Sequence, residues 1–403
     1  MGIFSEASGH AGNPVEEQDK IAKELIDRGR KVIKLSRGDP AVYFKTPKYI
    51  IDAYIKALKE GKSQYEYFYG AQELREAVAK RYRRMYGLNL DVEEDIIATN
   101  GVSESLIFLN SVLMNKGDRA VMFRPFYTLY EGLLEINHGR AIYGNYDEDN
   151  SWAIDLDHLK KALKNSKRIK YMLITNPNNP TGTVLNRKII EEVVGIANDN
   201  DIMLVSDEIY DEILFNGAKF TSLAQIAKGT KHVILNGASK NFDSPGFRIG
   251  FMIVPGKDKI SKEFKERVVK YAQMRLSVNT PAQYAVAEGM NNIKEHKRSI
   301  DHMVREIADR TNFTYKMINE SRYMEAVRPN GAFYILPKLN IRDINVKDDT
   351  EFAKRLLLEA NVQVTRGSGF GSKNHIRIVT LPDKKTIGEA MDRIERFCRK
   401  NNR

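Results

Sequence analysis

The chain has 403 residues, 42% apolar and 29% charged, and a formal net charge of +11. That length exceeds what one compact core sustains, predicting a large domain with a smaller companion, and the composition is that of a soluble globular protein. No apolar run nears the ~18 residues of a membrane span, and a single cysteine, Cys398, excludes an internal disulfide and a cysteine metal centre.

Met1-Gly2-Ile3-Phe4-Ser5-Glu6 lacks the basic and apolar regions of a secretory signal. It also carries Glu6 where a myristoylation signal needs Ser or Thr, so a cytoplasmic protein is expected. The first 15 residues, with Gly9, Gly12 and Pro14, read as a mobile arm. From about Pro47 to Met290, short apolar runs alternate with amphipathic stretches: Arg119–Phe123, Tyr171–Thr175, Ile202–Ser206, His232–Asn236 and Arg248–Val254. Each is bounded by Asn, Asp, Gly or Pro, which predicts a mostly parallel sheet covered on both faces. Ligands of such sheets sit beyond the carboxyl ends of the strands, where Asn179, Asp207 and Lys240 fall. The basic residues are spread. Where they cluster, from Lys257 to Lys270, acids interleave at helical spacing, so the reading is a solvated face with no nucleic acid as partner. After about Asn291 long amphipathic helices (Glu295–Glu320) join short strands such as Gly331–Leu336, Val362–Thr365 and His375–Val379. The predicted division is residues 1–46 (arm and part of the small domain), 47–290 (large domain) and 291–403 (small domain). Cys398, in Arg396-Phe397-Cys398, reads as a helix-packing residue.

Three strings carry chemistry. Ser239-Lys240-Asn241-Phe242-Asp243-Ser244-Pro245-Gly246-Phe247-Arg248 pairs an amine with a guanidinium across a Pro-Gly turn. Asn176-Pro177-Asn178-Asn179-Pro180-Thr181-Gly182 is by itself only a rigid turn. Ser206-Asp207-Glu208-Ile209-Tyr210 adds a carboxylate and a phenol. In order and spacing they resemble the class I aminotransferases, pyridoxal-phosphate enzymes of fold type I. The resemblance runs from Gly38 to Arg377. It implies an α/β fold with a large domain built on a mostly parallel sheet of about seven strands between helices, plus a smaller α+β domain.

The resemblance also implies roles. Lys240 forms a Schiff base with the cofactor aldehyde and later moves a proton. Asp207 faces the pyridine nitrogen. Unit charges ~4 Å apart at an effective dielectric near 20 attract by about 4 kcal/mol, roughly three pKa units, which keeps the ring protonated as an electron sink. Tyr210 and Asn179 donate to the phenolate oxygen. Val102 and Ser103, opening a helix predicted to start near Ser105, Ser239, and the fork of Arg248 hold the phosphate. Relatives often carry a hydroxyl three residues before the lysine, where this chain has Gly237. Tyr127 stacks on the ring. Tyr65, in Tyr-x-x-x-x-Gly-x-x-x-Leu-Arg, reaches the phosphate of a neighbouring subunit, which implies a homodimer with sites at the interface. Arg377 grips the substrate α-carboxylate, and Gly38 and Asn179 flank it. No metal motif is present.

Asn100-Gly101-Val102-Ser103-Glu104, Met274-Arg275-Leu276 with Asn279 and Pro281-Ala282-Gln283, and Arg377-Ile378-Val379-Thr380-Leu381-Pro382 look like the alanine aminotransferase branch. The partners then expected are small molecules, an amino acid (alanine) and a 2-oxo acid (2-oxoglutarate). Other transaminases, for aspartate, aromatic or branched-chain amino acids, and a C–S lyase of the same fold are the alternatives. Arg275 is a candidate for the γ-carboxylate of 2-oxoglutarate, with an interface or surface role equally open.

Overall fold

The structure, a computed structural model, describes Ile3 and residues 14–402, with side chains described from Gln18 onward in the first helix. The arm expected at the N-terminus, and with it the segment weighed as a secretory signal (residues 1–6), falls up to residue 13 outside the described residues apart from Ile3. The first helix is Pro14–Asp27.

The predicted runs become the strands Arg119–Arg124, Ile169–Thr175, Met203–Asp207, His232–Gly237 and Gly250–Ile253. Two further strands, Ile96–Thr99 and Arg140–Asp147, were not anticipated. The sheet has eight strands, one more than expected, because the two-residue strand Ala153–Ile154 closes one edge. From that edge the order is Ala153–Ile154, Arg140–Asp147, Arg119–Arg124, Ile169–Thr175, Met203–Asp207, His232–Gly237, Gly250–Ile253 and Ile96–Thr99. Gly250–Ile253 runs against both its neighbours and Ala153–Ile154 against its one, while the others are parallel.

Alternation explains why the middle strands are apolar throughout. Leu204 and Ile234 point into a cluster with Leu74, Val78 and Ala285 on one face of the sheet. Their neighbours Met203, Val205, Val233 and Leu235 point into a cluster with Leu106, Leu109 and Val268 on the other. Period 2 thus feeds two helical layers at once, and a polar residue at either parity would be buried.

A separate apolar cluster joins Ile33 and Leu35 to Ile318, Phe352, Ile376 and Cys398. Ile33–Lys34 pairs in parallel with Val362–Gln363, so the early chain packs with the late chain. Cys398 is fully buried in the helix Lys384–Lys400, and burial pushes its thiol up to about 12. A fourth cluster sets Ile209, Tyr210 and Ile213 against Met303 and Ile307 of the helix Ile293–Glu320, and against Phe333 and Tyr334. This last contact brings the segment after Asp207 beneath the late strands. No helix among the described residues is long and apolar enough to cross a membrane.

Candidate active site

A cavity of about 480 Å³ opens at the carboxyl ends of the parallel strands, within the range of small-ligand sites. Gly38, Val102, Ser103, Tyr127, Asn179 and Asp207 line it, and so do Tyr210, Ser239, Lys240, Arg248 and Arg377. Of the expected cofactor-binding residues, Tyr65 stays out and is 78% exposed.

Asp207 ends its strand with 5% of its surface exposed. Tyr130 Oη donates to its Oδ2 at 2.6 Å and the Ile209 amide to Oδ1 at 3.2 Å. Thr175, the cross-strand neighbour of Asp207, lies 2.9 Å from the same tyrosine oxygen. Burial drives the Asp207 carboxyl up to about 6, although Tyr130, Ile209 and Lys240 all favour its charged form. A buried carboxylate in that state takes up a cation at a premium.

Lys240 sits in the short helix Ala238–Asn241 that follows the strand His232–Gly237. Its Nζ donates to the Gly38 carbonyl at 2.7 Å. Burial lowers its pKa to about 8, with Asp39 pulling the other way. The amine is therefore neutral far more often than a surface lysine.

The helix expected near Ser105 begins at Val102, directly after Gly101, and runs to Leu113. Its first amide groups have no intrahelical acceptor, and they meet Arg248 across Gly101. Gly101 has φ 74°, and any Cβ there would strike the Arg248 guanidinium. Arg248 itself is left-handed at φ 58°, with Nη1 and Nη2 on the carbonyls of Pro245 (2.9 Å) and Asn100 (3.2 Å). A helix start, a guanidinium and the hydroxyls of Ser103 and Ser239 make an anion cradle.

Arg377 is almost fully buried between the rings of Phe370 (4.6 Å) and Tyr334 (4.8 Å). Nη1 donates to Asn179 Oδ1 at 3.0 Å and Nη2 to the Ser36 carbonyl at 2.5 Å, while Nε has no partner. Since Asn179 Oδ1 is engaged, its amide nitrogen is the end free to donate. Tyr210 Oη lies 2.9 Å from Tyr334 Oη, and a Cβ on Gly38 would overlap that Tyr334 hydroxyl, so glycine is required at position 38 by close approach rather than by φ.

Tyr130, Tyr334 and Asp39 also line the cavity and were not foreseen. Tyr130 follows Tyr127 at helical spacing, and the two rings meet edge to face at 5.5 Å. Tyr334 is placed by pairing with Val379, two residues from Arg377. Neither relation is visible without the fold. Arg275, the candidate for a distal carboxylate, does not line the cavity. Its Nη2 instead bridges the carbonyls of Phe68 (3.3 Å) and Ala98 (3.0 Å).

The donor set fits pyridoxal phosphate: an anion cradle for the phosphate, a buried carboxylate for the ring nitrogen and a neutral-leaning amine for the aldehyde. No group of three or more His, Cys, Asp or Glu residues that could hold a metal occurs among the described residues.

Known proteins match this chain along most of its length. The sequence model of the family described as aminotransferase class I and II matches residues 30–394. The glutamate-pyruvate aminotransferase AlaA of Escherichia coli (strain K12) is 32% identical over 381 residues, spanning 94% of this chain and 93% of its own. The aspartate aminotransferase of Bacillus sp. (strain YM-2) is also 32% identical, over 382 residues and 94% of each chain. Among solved structures, the alanine aminotransferase from Pyrococcus furiosus superposes with a TM-score of 0.94 at 32% identity, over 98% of this chain and 100% of that one.

Proposed function

Because the chain belongs to the class I and II aminotransferases, whose cofactor is pyridoxal 5'-phosphate, we propose that it moves the amino group of an L-amino acid, alanine foremost, to 2-oxoglutarate. The reaction runs as two half-reactions of ping-pong type with Lys240 as the acting amine. The observation that carries this reading is the strap Ser36-Arg37-Gly38. The Ser36 carbonyl accepts from Arg377 and the Gly38 carbonyl from Lys240. One short backbone segment therefore sets a carboxylate-binding fork and an amine at a fixed separation, as an α-amino acid requires.

When bound, the cofactor supplies an electron sink for the pair released at the substrate α-carbon. The protein does the rest. Asp207, desolvated and oriented by Tyr130, would hold a positive charge at the ring nitrogen. The amides of Val102 and Ser103, the Ser239 hydroxyl and Arg248 would anchor the phosphate. Tyr210 and the Asn179 amide would donate to the phenolate oxygen, and Tyr127 would pack on the ring. Arg377 would bind the substrate α-carboxylate. Lys240 Nζ would take the α-proton and return it; a pKa near 8 suits both directions near neutral pH.

The division at residues 46/47 and 290/291, a homodimer to which Tyr65 contributes across the interface, and a cytoplasmic location remain part of the proposal. Identity does not separate alanine from aspartate, since relatives named for each stand at 32%. The strings Asn100–Glu104 and Arg377–Pro382 favour alanine. The test is kcat/KM for alanine, aspartate, tyrosine and leucine with 2-oxoglutarate as acceptor. Alanine is expected to be best or within a small factor of the best, with partial overlap, because one methylene separates substrates by only ~1–3 kcal/mol. Continuous release of pyruvate with ammonia and sulfide from cysteine, without an acceptor, would instead reveal a lyase.

A further inference from the structure

A site that takes alanine and then 2-oxoglutarate must meet a second carboxylate in one half-reaction and a methyl in the other. The α-carboxylate fork cannot serve both ends: Arg377 is buried, and two of its nitrogens are tied to Asn179 and to the Ser36 carbonyl. Arg248 is held on the Pro245 and Asn100 carbonyls at the helix start. Arg275 is outside the cavity, bridging main-chain carbonyls.

Arg37 remains. It lines the same cavity, is exposed at the mouth, and its guanidinium has no hydrogen bond or ion pair among the described residues. Its position is set on both sides: Ser36 through its carbonyl to Arg377, and Gly38 through its carbonyl to Lys240. Its side chain leaves the strap between those two anchors and lines the cavity that Arg377 and Lys240 also line. Beside Asp207, two acidic residues line the cavity as well. Asp39 lines the cavity with one carboxylate oxygen unpartnered, and Asp19 lines it while accepting from Gln363. Of the arginines lining the cavity, Arg37 is the one whose side chain has no hydrogen-bond or ion-pair partner among the described residues.

We infer that Arg37 is the specificity residue for the ω-carboxylate of the dicarboxylic substrates, glutamate and 2-oxoglutarate. Its fork pairs with the carboxylate when a long substrate is present and swings into solvent when the side chain is a methyl. A long, exposed arginine costs little to move in this way, so one pocket serves both half-reactions. This rests on the reading of 2-oxoglutarate as acceptor.

The test compares the wild-type holoenzyme with Arg37→Ala and Arg37→Lys. The ratio of kcat/KM for 2-oxoglutarate to kcat/KM for pyruvate should fall about 10- to 100-fold in Arg37→Ala, the factor carried by one lost charge-assisted hydrogen bond. Arg37→Lys should recover part of it. Binding is read independently by titrating holoenzyme with glutarate and with butyrate, which differ by the distal carboxylate. Preference for glutarate should shrink by a similar factor in Arg37→Ala. A ratio and a glutarate preference both within about 2-fold of wild type, or an equal fall for 2-oxoglutarate and pyruvate, would overturn the assignment. If the wild type used no 2-oxoglutarate, the functional reading would fail, whereas the glutarate titration would still decide whether Arg37 recognises a second carboxylate.

Discussion

Asp207 and Glu208 are adjacent buried carboxyls with opposite uses. Asp207 looks into the cavity and is held ready for a cation. Asp207→Asn keeps the shape and the Tyr130 contact but removes the charge, so about 10²-fold or more of kcat should be lost, on the order of 2.7 kcal/mol. Steady-state turnover under saturating pyridoxal phosphate measures this, and near-normal turnover would contradict the role. Glu208 points the other way. Ser222 Oγ lies 3.1 and 2.9 Å from its two oxygens and the Leu223 amide donates at 2.9 Å. Burial raises its pKa from 4.5 to about 8. The folded state therefore keeps a proton that the unfolded chain gives up above its ordinary carboxyl range. Between those limits the unfolded state binds fewer protons, and stability falls as pH rises. Glu208→Gln mimics the neutral acid and lacks this loss. Relative to wild type it should gain about 4 kcal/mol between pH 5 and pH 9, read from denaturant midpoints. Parallel pH dependences for the two proteins would show that Glu208 is not held neutral.

At the scale of elements, the turn bearing Lys240 is pinned from below by a buried charge cluster. Asp211 accepts from Arg81 Nη2 (2.7 Å), Tyr86 Oη (2.5 Å) and Asn241 Nδ2 (2.5 Å), and Asn241 follows Lys240. Glu212 accepts from Arg81 at 2.8 Å and meets His296 Nε2 at 2.9 Å, which ties in the helix Ile293–Glu320. Burial opposes the Glu212 charge, yet Arg81 and His296 outweigh it and bring its pKa to about 2. Arg81→Met leaves two carboxylates in the interior without their cation, so a cost of about 3–5 kcal/mol is expected, measured by urea unfolding; a cost under about 1 kcal/mol would mean that the cluster is solvated. None of this was legible in the sequence, because Arg81 stands with Arg83 and Arg84 in a helix whose charges look alike. What could be read were elements whose environment is uniform. Tyr171–Thr175 and Ile202–Ser206 announce themselves because both faces are buried. Arg140–Asp147 escaped because most of it is only half-buried, with Arg140 exposed and Gly144 and Tyr146 alone fully inside. Ile96–Thr99 is four residues long, too short for any period to register. The site divided the same way. Lys240, Asp207 and Arg377 lie in strings with their own pattern, whereas Tyr130, Tyr334 and Arg37 gain meaning only from what the fold sets beside them.

The whole molecule leaves one expected site residue outside its own cavity. Tyr65 is 78% exposed, and so are Tyr67 (54%), Met274 (82%) and Leu276 (52%). These side chains come from two segments held together: Thr280 Oγ1 donates to the Gln64 carbonyl at 2.7 Å and Arg275 to the Phe68 carbonyl. Large apolar side chains gathered at one exposed place mark an interaction surface, and a homodimer pairs such a surface about a twofold axis. If Tyr65 serves the phosphate of the neighbouring subunit, each site needs Lys240 from one chain and Tyr65 from the other. Lys240→Ala removes the acting amine from a chain while leaving its Tyr65 intact. Tyr65→Ala spares the amine but weakens phosphate binding in the partner's site. Mixed, the two proteins form heterodimers in which one site has both residues intact and the other has lost both. Activity at limiting pyridoxal phosphate should rise from near zero toward a quarter of the wild-type value, because random exchange makes about half the dimers mixed and each mixed dimer carries one site. Subunit exchange is verified by native mass spectrometry. If exchange is complete and activity stays at the level of the separate variants, Tyr65 does not act across the interface, and its exposure has another explanation.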